Sequence, residues 1–450
     1  MRIVYFDIDC LRPDHLGCYG YARPTSPNID AIARQGAIFS NYYCANSPCL
    51  PSRAGWISGR FGIRNGVASN FGAGARFHLR TRPYVGPEPD NEPFTRLLRA
   101  HGYDTISFSN FADRHNAFWF MCGWSEFYTP NLKGGNETAE EVNAPLLRWL
   151  KHNATTENYF LHINYWDAHR CYKMDASWAD RFKDVPVTQP WPDEDAIRKH
   201  QEIHGHFTAQ GQFKGGVSPF PLMPGSISSR KDFEHMITGY DSAIAYVDHQ
   251  VGIVLEELER QGVLDDAVII FSADHGDAFG EHGIYSDHIC ADECIHHIPF
   301  IVRWPRESAA GQTSDALLYN VDFAPTLCDL LGIPTPADWD GISFADDIRG
   351  RLRPGREYLV WDHGLYAVQR AVRTKSRLMV ETYDTLGYPF EPVELYDMAD
   401  DPYQTHSIAS ERQDVLRECR ILMAEWIEEQ RSKGHCVPDP LEEILLERAR

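Results

Sequence analysis

The run Cys49-Leu50-Pro51-Ser52-Arg53 holds the chain's clearest chemical signal. Pro51 suits the first turn of a helix, which puts residue 49 at a helix N-terminus, where free N–H groups and the macrodipole favour an anion. Arg53 adds a fixed positive charge that orients and neutralises what reacts there. A second signal lies far away in sequence. Asp9 follows the apolar run Ile3-Val4-Tyr5-Phe6, and Asp274-His275 follow Ile269-Ile270-Phe271-Ser272. Acidic residues at the carboxyl ends of parallel strands sit where open α/β sheets build their sites. Two or three oxygen ligands and one nitrogen, drawn from different strands, suit a hard divalent cation with room left for substrate oxygens. Asp7, on the same strand face as Asp9, is a further candidate ligand.

The elements that must position these groups are legible as short apolar runs alternating with helical patterns over roughly the first 350 residues. Besides the two runs above, Thr105-Ile106-Ser107-Phe108, Tyr159-Phe160-Leu161-His162-Ile163 and Pro299-Phe300-Ile301-Val302 are nearly continuous in apolar character. A parallel sheet covered on both faces demands this. The expected fold is α/β, with a central, mostly parallel sheet sandwiched by helices over residues 1–352. Ser26-Pro27 with Gly36 brackets one helix, and apolar positions from Ile237 to Leu258 recur at helical spacing through Lys231–Arg260 until Gly262. Residues 184–229, rich in Pro, Gly, His and Gln, read as an insertion that walls a cleft. Beyond Pro354-Gly355 short strands and a closing helix over 414–429 predict a smaller C-terminal α+β domain, 353–450, with an antiparallel sheet.

Composition narrows the function classes. The chain has 450 residues, 43% hydrophobic and 24% charged, and a formal charge of −21, which argues against nucleic acid as a partner. No stretch approaches the roughly 20 consecutive apolar residues of a membrane span. Met1-Arg2 leads directly into a short apolar run, so the expected location is cytoplasmic, and 11 scattered cysteines fit a reducing compartment.

Cys49-Leu50-Pro51-Ser52-Arg53 resembles the Cys-x-Pro-Ser-Arg signature of the sulfatases of the alkaline phosphatase superfamily. The resemblance extends in order through Asp9 to Gly20, Ser272 to Gly283, Val321 to Leu327, and Glu394 to Asp397 with Asp401-Pro402. It implies a sulfuric ester hydrolase, with carbohydrate as the expected substrate, whose Cys49 is converted to formylglycine by a maturation enzyme. One oxygen of the aldehyde hydrate attacks sulfur and the other expels sulfate by collapse to the aldehyde. By the same resemblance one Ca²⁺ is held by Asp9, Asp274, His275 and the modified residue at 49, and His169 contacts the scissile oxygen or protonates the leaving group. The same nucleophile serves phosphodiesterases and phosphonate monoester hydrolases, and a third reading is a binding protein with a degenerate site.

Two departures stand out. Cys10 occupies the place of a common second acidic ligand, where a neutral thiol is a poor partner for calcium. Both family lysines are missing, one near Asn110 to His115 and one near Ser286-Asp287-His288. His115, His288 or Arg114 then takes the cationic role, and a histidine-based pocket loses charge as pH rises through neutrality. Substrate contacts are expected from Asn110, Arg114 and Arg76, the last with Arg80 and Arg82. Further selectivity is expected around His296-His297.

Overall fold

The computed structural model describes residues 1–78, 93–433 and 438–450. Its main sheet has eight strands, in the order Gln312–Ser314, Ala37–Phe39, Phe300–Arg303, Ala267–Ser272, Arg2–Ile8, Tyr159–Tyr165, Asp104–Phe108 and Glu126–Tyr128. Arg2–Ile8 lies in the middle, parallel to both neighbours. Ile3, Val4, Phe6 and Ile8 are at most 1% exposed. Each such burial is worth about 1.5–3 kcal/mol, a reserve that offsets the cost of carrying Asp7 and Asp9 into the interior at the strand's end.

One expected parallel strand runs the other way. Phe300–Arg303 pairs antiparallel with Ala267–Ser272 and with Ala37–Phe39. A parallel return needs a crossover of a dozen or more residues, usually a helix, and between Ser272 and Phe300 the only α-helix is the four-residue Glu293–His296. The segment spends its length on site loops instead. Burial on both faces is the same in either direction, so apolar runs alone could not reveal it.

The long helix spans Arg230–Arg260, capped by Ser229, whose side chain accepts from Asp232 N, and closed by Gly262 at φ +71°. Its buried Tyr240 accepts from Arg12 N at 2.8 Å and donates to Cys10 O at 2.7 Å, clamping the loop that leaves the first strand.

The C-terminal sheet is an antiparallel run of Tyr358–His363, Val368–Thr374, Arg377–Asp384 and Val393–Asp397. A fifth strand comes from the other end of the chain: Asn46–Ser47 pairs parallel with Asp362-His363. The strand immediately before Cys49 therefore belongs to a sheet that residues 353–450 do not complete alone. The helix Gln413–Ser432 packs on this sheet, and Pro440–Arg448 returns to the turn at Gly72–Gly74.

Candidate active site

Three adjacent strands converge on one point. Arg2–Ile8 ends at Asp9, Ala267–Ser272 at Asp274-His275, and Tyr159–Tyr165 leads to His169. The helix Cys49–Ser58 lies with its first residue against them, Cys49 being 1% exposed. Its Sγ is 3.1 Å from His275 Nε2. Donor atoms of Asp9, Cys49, Asp274 and His275 all lie within 4.8 Å of one another.

The helix start is built differently from the anion cradle expected there. Leu50 N donates to Asn70 Oδ1 at 3.0 Å, and Pro51 has no N–H, so little of the first turn is left to meet an anion. Asn70 carried no motif in the sequence, yet it secures the nucleophile's turn and lines the cleft above it.

Arg53, 2% exposed, is the hub beneath. Its Nε donates to Asp7 at 2.8 Å and its Nη1 to Asp9 at 3.1 Å and Asp274 at 2.5 Å, while Nη2 has no hydrogen-bond partner among the described residues. Three carboxylates thus face one guanidinium, an excess of two negative charges in a buried site. Such an excess is costly unless a cation compensates it. Burial pushes Asp274 up against the pull of Arg53. His275 is ready as a ligand: Nδ1 donates to Gly276 O at 2.8 Å, leaving the Nε2 lone pair toward Cys49. Burial first, against Asp274, lowers its pKa to about 3, so it is neutral at any working pH. Donor chemistry, charge excess and fixed tautomer therefore fit a divalent cation. Asp7, the further candidate ligand, does not extend the shell, because its carboxylate is engaged by Arg53 and by His162 Nε2 at 3.2 Å.

Burial, then Asp9, raises the Cys49 thiol to about 11. The encoded residue is a protonated thiol at neutral pH and a weak nucleophile in its own right.

Above Cys49 opens a cleft of about 660 Å³, lined among others by Arg114, His115, His169, Arg170, Phe207 and His288. Arg114 stacks on Trp166, its guanidinium carbon 5.1 Å from the ring centroid, and Nη2 donates to His169 Nε2 at 3.2 Å. His169 Nδ1 in turn donates to Arg170 O at 2.7 Å, which makes it a neutral imidazole. Burial first and Arg114 second hold its pKa well below the usual histidine range. His288 is the opposite case. Burial opposes its charge, but Asp287 and Asp277, the latter 2.8 Å from Nδ1, hold it well above 6.5. That direction runs against the early alkaline loss expected of a histidine-based pocket. His115 does not suit the cationic role expected of it: burial and then Arg114 hold its pKa well below 6.5, and its buried Nε2 has no hydrogen-bond partner among the described residues.

Other expected contacts are elsewhere. Asn110 Nδ2 donates to Glu137 Oε1 at 2.8 Å and to Asn131 O, tying down the 131–137 loop outside the cleft lining. Arg76 is exposed and not among the lining residues, while Arg80 and Arg82 lie outside the described residues. His296 is buried below the nucleophile, its Nε2 2.9 Å from Ser47 Oγ, and does not line the cleft. From residues 184–229, Phe207 is among the lining residues. Arg170 went unread in the sequence; its guanidinium sits between the rings of Phe207 and Phe213, 4.6 and 5.0 Å from their centroids, and is bonded to Gln212. No regular spacing marks residues that meet only through a loop.

The family model for sulfatases matches residues 2–333, and that for the C-terminal part of N-sulphoglucosamine sulphohydrolase matches 280–433. An N-acetylglucosamine-6-O-sulfatase of Bacteroides thetaiotaomicron is 23% identical over 99% of this chain and 88% of its own length. A Delta 4,5-hexuronate-2-O-sulfatase of the same species is 26% identical, covering 92% of this chain and 87% of its own. Among solved structures, a protein in complex with its substrate D-glucosamine-2-N,6-O-disulfate superposes with a TM-score of 0.75 at 21% identity, over 98% of this chain and 99% of that one, and so shares the fold. With the fold, the order of its motifs and a family model spanning most of its length in agreement, the chain belongs to the sulfatase family, hydrolases acting on sulfuric ester bonds.

Proposed function

We propose that the protein hydrolyses a sulfate ester on a carbohydrate through the hydrate of a formylglycine made from Cys49, with Ca²⁺ held by Asp9, Asp274, His275 and the modified residue. The observation that carries this reading is the meeting, within 4.8 Å, of the position-49 side chain with two carboxylates and an imidazole, above an arginine outnumbered by acids. When bound, the cation supplies the positive charge the carboxylates lack and draws on sulfate oxygens.

The chain's own residues divide the remaining work. Arg53 Nη2, unpartnered, is free to hold an oxygen of the hydrate. Arg114 and the charged His288 supply cations in the cleft where the family's lysines are missing. His169 offers its Nε2 position, next to Arg114, to the bridging oxygen. Because His169 is neutral at rest, it must take a proton before it can protonate a leaving group, and the hydrate is a proton source close by. Among the described residues neither Arg114 nor Arg170 is ion-paired with a carboxylate, so both remain available to an anionic sugar.

The test has two parts on the full-length protein, made in a host with the maturation enzyme. A peptide mass across Cys49 showing aldehyde in place of thiol is expected, and intact thiol overturns the nucleophile. Side-by-side kcat/KM values on an aryl sulfate and an aryl phosphodiester, with calcium present, should favour the sulfate; the reverse order replaces sulfate ester by phosphodiester.

A further inference from the structure

Two aromatic side chains at the cleft take no part in the chemistry above. Phe71 and Tyr366 both line it, and Phe71 is 62% exposed. A phenyl ring left in water forgoes the gain of burial until something covers it. The lining beside the two rings is polar, with Asn70, Asn116 and Arg114 among it. Rings interleaved with a few polar groups suit a compact ligand that has an apolar face and a polar edge.

Both rings stand on loops that the last helix of the chain holds. Ala68 N and Ser69 N donate to Gly74 O at 2.8 and 2.9 Å, which closes the 68–74 loop on itself. Ahead of Phe71, Asn70 is tied to Leu50 N; behind it, Ala73 N donates to Glu447 Oε2 at 2.7 Å. Tyr366 is held through its carbonyl, which accepts from Arg448 Nη1 at 2.7 Å. Between the two loops Ile444, 4% exposed, packs with Ala68 and Val368. A Cβ at Gly74 or at Gly364, one on each loop, would stand 2.5 or 2.6 Å from Ile444 Cδ1, so the helix seats only against glycine at both places. A ring fixed on both sides in sequence has little freedom left to lose when a ligand docks, and such a contact gains affinity from being preorganised.

We propose that Phe71 and Tyr366 form a stacking platform for the sugar ring that bears the sulfate ester, presented to the cleft by the helix Pro440–Arg448. A pyranose carries C–H groups on its faces and hydroxyls around its edge, which matches rings flanked by asparagine and arginine. The assignment rests on the reading of the protein as a hydrolase of carbohydrate sulfate esters and adds to it where the sugar lies. Ile444 and Glu447 touch no substrate and act through the loops, as positioning residues. No bond forms or breaks on the platform, so its effect falls on KM more than on kcat.

The test uses the full-length protein matured at residue 49, with calcium present and 4-nitrophenyl sulfate as a ring-bearing substrate. Inorganic sulfate, which has no ring, is the control, because its Ki as a product inhibitor reads the sulfate pocket alone. Phe71→Ala should raise KM about five-fold, with a smaller change in kcat and the sulfate Ki unmoved, and Phe71→Trp should restore KM. Glu447→Ala should raise the same KM about two-fold, while Glu447→Gln, which keeps an acceptor for Ala73 N, leaves it at the wild-type value. Glucose 6-sulfate, added as a competitor of aryl turnover, carries the test to a pyranose: its Ki should rise with Phe71→Ala as KM does. An unchanged KM in Phe71→Ala, or KM and sulfate Ki rising together as they would on general damage to the fold, overturns the platform. A glucose 6-sulfate Ki that does not move overturns its assignment to a sugar. Failure of the underlying reading appears separately, in a wild type that leaves the aryl sulfate uncleaved.

Discussion

Arg53 and Arg356 are both arginines bound to buried aspartates, and they solve opposite problems. Arg356 donates through Nη1 and Nη2 to the two oxygens of Asp322 at 2.5 and 2.7 Å, one charge against one. Asp322 is completed by Tyr319 N and Ile342 N, at 2.8 and 2.7 Å. That pair joins the end of the main domain to the start of the C-terminal sheet and needs nothing more. Arg53 instead faces Asp7, Asp9 and Asp274 and cannot neutralise them. A balanced buried pair is a structural device; an unbalanced one is a site that awaits a cation.

The largest test of this contrast is at Asp9. Asp9→Asn should lower kcat/KM by about 10³-fold or more and abolish the rise in Tm on adding calcium, an effect of about 2.7 kcal/mol at one hundred times Kd in wild type. The metal-free variant should be no less stable than wild type, because one of three crowded negative charges is gone. Thermal melts with and without calcium decide it, and a large loss of metal-free stability would erase the distinction between the two arginines.

At the balanced pair the consequences reverse. Asp322→Ala should cost about 3 kcal/mol in denaturant unfolding, by stranding a half-buried guanidinium and the N–H groups of Tyr319 and Ile342, while kcat per folded molecule stays near wild type. Smaller again is the effect expected in the cleft. Arg114→Ala should lower kcat/KM about 10²-fold, with partial recovery in Arg114→Lys, whose charge remains but whose planar stacking on Trp166 does not.

The smallest effect concerns a buried acid that has no arginine. Asp167 accepts from Ala139 N at 2.9 Å, and burial raises its pKa to about 7. Folded Asp167 therefore holds its proton where the unfolded chain has lost it, so its contribution to stability is greatest below the unfolded pKa near 3.8 and is lost as pH rises toward 7. Asp167→Asn should then raise stability at pH 8 relative to wild type by on the order of 2 kcal/mol, and by much less at pH 4. Equal gains at both pH values would show that Asp167 is ionised in the fold.

Much of this was legible in residue order. The apolar runs located the core strands, the 3.6-residue pattern located the long helix within one residue of its observed start at Arg230, and Gly262 marked its end. Cys49, Arg53, Asp9, Asp274, His275 and His169 were found as motifs, and they do meet. What failed were inferences of charge and contact. His115, one of three candidates for the cationic role, is held neutral by burial and Arg114, Asn110 was read as a substrate contact and serves a loop, and Asp7, a further candidate ligand, braces Arg53.

The sequence by itself determined the α/β class, the chemical identity of the nucleophile segment and the two strand ends that carry acids, because short-range periodicity and local motifs are properties of neighbours along the chain. Only the tertiary structure decided the direction of Phe300–Arg303, the entry of Asn46–Ser47 into the C-terminal sheet, the three-to-one charge balance at Arg53, and which histidine is charged. Those depend on burial and on partners brought together from as far as 316 positions apart, as Asn46 and Asp362 are. No local pattern encodes the dielectric or the neighbours that residues of such separation will meet.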